Sequence, residues 1–107
     1  MNSYINNSIG PSTAKARHSL EMGAQFPYDA PDAWRDSDDP PPSAPNWQMA
    51  AARGIIANLT DRRGIKQGFE GVDEDVRREI VAAIALIIDV ALPWYAEQSG
   101  WIPEPLP

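Results

Sequence analysis

The run Ile80 to Leu92, IVAAIALIIDVAL, is apolar at every position except Asp89. Val76, Ile80, Ala83, Ile84, Ile87, Ile88 and Ala91 recur at the i, i+4, i+7, i+8 spacing of a helix with one buried face. Asp73 is a good N-cap, and Glu74 and Asp75 place negative charge in the first turn, where the helix dipole favours it. With Pro93 as a stop, the pattern predicts a helix over about 74–92. Val81, Leu86, Val90 and Leu92 form a second apolar group that points elsewhere, where an amphipathic helix in a monomer ordinarily carries polar groups.

A second helix is predicted over about 47–63. Asn46 is its cap, Trp47, Ala51, Ile55 and Leu59 make one apolar face, and Ala50, Ala52, Arg53, Gly54 and Ile56 supply mostly small side chains. Gly64 suits a left-handed C-terminal cap, and Arg62 and Arg63 suit the negative end of the dipole. Ile65 to Glu70 reads as one turn, interrupted by Gly68 and closed by Gly71. A link of about nine residues between two helices predicts an antiparallel hairpin.

Residues 1–45 read differently. Seven of the chain's 11 prolines precede Asn46, and each lacks an N–H donor and fixes φ. This stretch is expected to be a largely irregular, acidic, Pro-rich arm with one short helix over 13–22, capped by Ser12 and formed only when docked. Its linker ends in a stiff Pro40-Pro41-Pro42 segment between Trp34 and Trp47. Residues 93–107 form a short aromatic and Pro-rich tail. The fold expected is all-α: a helical hairpin over 46–92, with a connecting turn, an extended arm and a tail, completed by self-association.

That last step follows from burial. Leaving Val81, Leu86, Val90 and Leu92 wet forgoes about 6–12 kcal/mol as an upper bound, comparable to the whole ~5–15 kcal/mol stability of a domain. Val81, Leu86, Val90 and Leu92, with Trp94 and Trp101 of the tail, are therefore the expected interface of a homo-oligomer, a dimer in the simplest case. A bilayer is the weaker fit. Thirteen residues of helix reach about 20 Å, whereas spanning takes roughly 20 apolar residues.

Charge narrows the partners. Of 107 residues, 15 are acidic and nine are lysine or arginine, for a net charge of −6, which argues against general nucleic-acid binding. Without cysteine there is no disulfide or thiolate chemistry, and one histidine rules out a multi-imidazole metal site. The first residues, MNSYINNSIGPST, lack a basic start and apolar core, so cytoplasmic residence is expected.

Candidate chemistry is sparse. Asp73, Glu74 and Asp75 diverge by about 100° per residue around a helix and are better read as cap and dipole partners than as an acid–base pair. His18 and Ser19 sit in the arm without a strained turn or oxyanion-hole pattern. Asp61 and Glu70 lie in no calcium-type loop. No catalytic residue, metal site or cofactor is expected. The basic residues Arg53, Arg62, Arg63, Lys66, Arg77 and Arg78 converge at one corner of the hairpin, where they pair with Asp61, Glu70, Asp73, Glu74, Asp75 and Glu79, form an anion site, or offer a basic contact to a protein partner.

Trp47, Ala52-Arg53-Gly54, Leu59, Asp61-Arg62-Arg63-Gly64-Ile65-Lys66, Phe69-Glu70, Asp73-Glu74-Asp75-Val76-Arg77, Glu79-Ile80 and Ile87-Ile88 form a pattern that resembles small uncharacterised helical accessory proteins of phages and prophages. The resemblance spans less than half the chain and carries no activity or ligand. It implies a small accessory gene product in a host cytoplasm. The first expectation is a non-enzymatic protein that acts by contact with itself and with a host or virion protein, for instance in blocking a host defence or regulatory complex. The alternatives are sequestration of a small anionic ligand such as a nucleotide, and a minor structural component of the virion.

Overall fold

A computed structural model of the chain describes residues 11–100. The described residues form an all-α fold, with helices α1 (Pro11–Gln25), α2 (Asp32–Arg35), α3 (Trp47–Thr60), α4 (Lys66–Phe69) and α5 (Glu74–Ser99).

Helix α3 is the centre of the packing. Its N-terminus is fixed by the Asn46 side chain, which accepts the Met49 N–H at 2.9 Å. The helix ends at Thr60, earlier than the expected 63, and the chain turns through 61–65 with Gly64 at φ 82°. One side of α3 receives α1. Gly23 of α1 lies on the Arg53 and Gly54 backbone, Leu20 lies on Gly54, and Ser19 meets Asn58, so α1 runs antiparallel to α3. A Cβ at Gly23 would sit 2.5 Å from the Arg53 carbonyl carbon. The small residues thus allow backbone-to-backbone approach, and the packed α3 supplies the docking that a marginal helix such as α1 needs.

The other side of α3 meets α5. Ala52 and Ile56 of α3 and Val81 and Ala85 of α5 form the buried core, with Tyr28, Met49, Phe69, Ile80, Ile84 and Ile88 around it. Because two helices claim α3, its buried residues are Ala52, Arg53, Gly54 and Ile56, while Trp47 and Ile55 of the expected face are exposed.

Helix α5 departs from expectation at its end, its cap and its face. It runs on through Pro93 to Ser99, 26 residues, and stops only at Gly100 (φ 71°), whose N–H reaches the Ala96 carbonyl. Proline removes one N–H and one hydrogen bond, and here the helix continues past that gap. The Asp73 side chain makes no capping bond. Arg77, Val81 and Ala85 are the buried residues, while Val76, Ile87, Ala83 and Ala91 of the expected face are exposed. The inward face is rotated because a charged side chain, Arg77, is drawn inside.

The stretch between α1 and α3 is a strap bound to the core. Tyr28 donates its hydroxyl to the Phe69 carbonyl (2.9 Å), and the two rings meet edge to face at 5.6 Å. Pro27 and Ala30 are buried. Trp34 Nε1 donates to the carbonyls of Asp39 and Pro40, each at 3.0 Å, and so folds the acidic linker back on itself.

Candidate functional site

The six basic residues expected at one corner separate into two kinds. Arg53 is 5% exposed and forms a two-pronged pair with Asp29, Nε to Oδ1 at 2.7 Å and Nη2 to Oδ2 at 3.1 Å, while Nη1 donates to the Pro42 carbonyl at 2.9 Å. Arg77 is 3% exposed and donates to the carbonyls of Tyr28 (3.0 Å), Val72 (2.6 Å) and Ala30 (3.1 Å) and to Asp32 Oδ1 (2.6 Å). Both guanidinium groups are therefore occupied inside the fold. Their acidic partners come from the strap, not from the acids of the corner.

The other four remain at the surface. Arg62 donates to Asn58 Oδ1, and Arg78 lies 3.7 Å from Glu74 one turn earlier. Arg63 and Lys66 are exposed. Glu74 also accepts the backbone N–H of Asp32 at 2.7 Å. Since Asp32 in turn accepts from Arg77, the start of α2 is clamped to the start of α5 by two reciprocal charge-assisted bonds.

An open cleft of about 590 Å³ lies between α1, α3 and α4, with Met22, Phe26, Ile56 and Phe69 in its wall and His18, Lys66, Asp61 and Glu70 also lining it. Several of its polar side chains are engaged with the fold. Asn58 donates to Ser19 Oγ (3.1 Å), Ser19 donates to the Lys15 carbonyl (3.2 Å), and Tyr28 is held by Phe69. Burial pushes the Tyr28 phenol above its usual pKa, against the opposing pull of the Arg77 and Arg35 charges. His18 and Ser19 make no bond to each other, and among the described residues no three His, Cys, Asp or Glu side chains group as a metal site.

The surface that stands out is on α5. Leu86 and Ile87 are 62% and 64% exposed, Trp94 is 59% exposed, and Val76, Val90, Leu92 and Tyr95 are also exposed. Two causes are distinguishable. Val76, Leu86, Ile87, Val90 and Trp94 lie on the side of the helix opposite Val81 and Ala85. Leu92 and Tyr95 instead continue the inward face beyond Asp89, where α5 passes the start of α3: Gln48 Nε2 donates to Asp89 Oδ1 at 2.8 Å, and α3 begins one residue earlier at Trp47.

Among the expected interface residues, Leu86, Val90, Leu92 and Trp94 are thus on the surface, and Trp101 lies outside the described residues. Val81 is a correction. It is fully buried against Ala52 and Ile56, so it belongs to the internal core. Sequence reasoning missed Ile87, which it had assigned to the buried face. The signal available was the 3-4-3 spacing of Ile80, Ala83, Ile87 and Val90.

The extended α5 also removes the length argument against a bilayer. At 1.5 Å per residue it is about 39 Å long, and its most apolar 18-residue window has a mean hydropathy of 1.8 with little of it buried. No family model matches the chain, and no curated protein or solved structure matches it at a significant level.

Proposed function

We propose that this chain is a non-enzymatic accessory protein of phage type that acts by protein–protein contact, with α3 and α5 working as an antiparallel hairpin that self-associates through α5. One observation carries the reading: α5 keeps five large apolar side chains on the face turned away from its own core. Exposed patches of that kind generally mark interfaces. The hairpin is supported by Gln48 at the start of α3 meeting Asp89 late in α5, while Ile56 further along α3 packs with Val81 and Ala85.

In this reading α1 and the strap are a brace. They occupy the other sides of α3 and hold the first half of α5 through Arg77, leaving the outer face of α5 for a second copy and the overhanging end for a host or virion protein. A nucleotide-sequestering role has less to draw on, because Arg53 and Arg77 are already paired within the fold. The experiment is light scattering at micromolar concentration on the wild-type protein and on Leu86→Glu. Self-association that is lost in the variant, with helicity retained by circular dichroism, supports the reading. A wild-type monomer at every concentration refutes it.

A further inference from the structure

We infer that two copies pair through α5 in an antiparallel, two-fold arrangement along a heptad seam; this rests on the self-association proposed above and specifies its geometry. The seam is Val76, Ile80, Ala83, Ile87, Val90 and Trp94. Their spacing is four, three, four, three, four, the alternation that keeps one stripe of a helix facing a partner helix over successive turns. The structure leaves this stripe open. Val76, Ile87, Val90 and Trp94 are 40–64% exposed, Ala83 is exposed, and Ile80 is half-buried at the border with the internal core. Leu86 flanks the stripe.

A second copy fits this face better than a lipid bilayer does. The opposite side of α5 is tied to the rest of the chain by the four Arg77 bonds, by Gln48 to Asp89, and by Val81 and Ala85 in the core. A spanning helix would have to surrender all of these and carry Asp89 into hydrocarbon. The area is also adequate. At these exposures each large side chain offers on the order of 100 Å², so a symmetric pair covers about 1,000 Å², the lower bound for a specific interface.

Orientation follows from side-chain size and charge. In a parallel pair Trp94 would stack on Trp94 and Ala83 on Ala83, crowding one layer and emptying another, and the two Asp73-Glu74-Asp75 clusters would lie side by side. In the antiparallel pair Val76 faces Trp94, Ile80 faces Val90 and Ala83 faces Ile87, so each smaller residue meets a larger or equal one and all six are matched. Leu86 then meets its own copy beside the centre. The helix dipoles also oppose.

The chain has no cysteine, so introduced thiols report the register directly. Ile80→Cys and Val90→Cys are made separately and oxidised alone and mixed. In the antiparallel register a residue and its own copy at these positions are about 15 Å apart along the axis, beyond the ~7 Å Cα limit for a disulfide. The expected result is a mixed disulfide dimer at least tenfold more abundant than either homodimer. Val76→Cys with Trp94→Cys provides an independent second pair should the first disturb folding. Homodimers of each variant without the mixed species would establish a parallel pair, overturning this inference while leaving self-association standing. A monomeric wild type by light scattering would overturn both. Flotation of wild-type protein with phosphatidylcholine–phosphatidylglycerol vesicles, with loss of the dimer, would assign the face to lipid and also overturn the inference.

Discussion

Arg53, in the middle of α3, places its Nε 2.7 Å from Asp29 Oδ1, in a pair that is nearly closed to solvent and joins residues 24 positions apart. Removing one member of such a buried pair costs more than removing both, because the charge left behind is desolvated and unpaired. Arg53→Met should leave a buried carboxylate without its counter-charge and lower stability by about 3–5 kcal/mol. Adding Asp29→Ala should return part of that loss, and thermal melts of the two single variants and the double variant measure the coupling.

Arg77 is a different kind of anchor, because it holds three strap and connector carbonyls as well as Asp32. A lysine cannot reproduce the planar fork. Arg77→Lys is expected to cost about 3 kcal/mol, since hydrogen bonds to charged groups are each worth roughly 1.5–3 kcal/mol. Hydrogen exchange should rise across residues 28–32 first. If exchange there matches the wild type, the anchor role is refuted.

Gly23 tests the contact between α1 and α3. In a free helix Gly→Ala gains about 1 kcal/mol, but here the new Cβ would meet the backbone of Arg53 and Gly54 at 2.5–2.6 Å. Backbone cannot step aside, so Gly23→Ala should destabilise by about 1–3 kcal/mol. Gly68→Ala, with open space around its Cβ, should be neutral or stabilising. Opposite signs in urea melts are the expected outcome.

Pro93 interrupts the hydrogen-bond ladder of α5 without ending the helix. Pro93→Ala restores the missing N–H and should raise helicity and stability, by at most about 3 kcal/mol. Far-ultraviolet circular dichroism with a thermal melt checks this. A fall in helix content would show that the proline is needed for the helix to run on to Ser99.

The raised pKa of Tyr28 has a defined sign. The folded state holds the phenol proton more tightly than the unfolded chain, so its contribution is complete below the ordinary tyrosine pKa of about 10 and is lost as pH rises through the higher folded value. Tyr28→Phe loses the bond to the Phe69 carbonyl and should be less stable than wild type at pH 8, with the gap narrowing as pH rises above about 10. A gap that stays constant to pH 11 would contradict the assignment.

Local chemistry was legible from the residues alone. The Asn46 cap, the turn at Lys66–Phe69 closed by Gly71, the all-α class and the surplus of apolar surface on the second long helix each depend on neighbours within a turn or two. What the tertiary structure decided was which side of each helix faces inward and where the charges go. The residues alone place Arg53 and Arg77 in a corner cluster because their partners, Asp29 and Asp32, sit 24 and 45 residues away in an arm whose prolines suggest irregular chain. Once α1 docks on the glycines and the strap carries those two acids inside, the rotation of α5 is set by a guanidinium, and periodicity of apolar residues cannot register a buried charge.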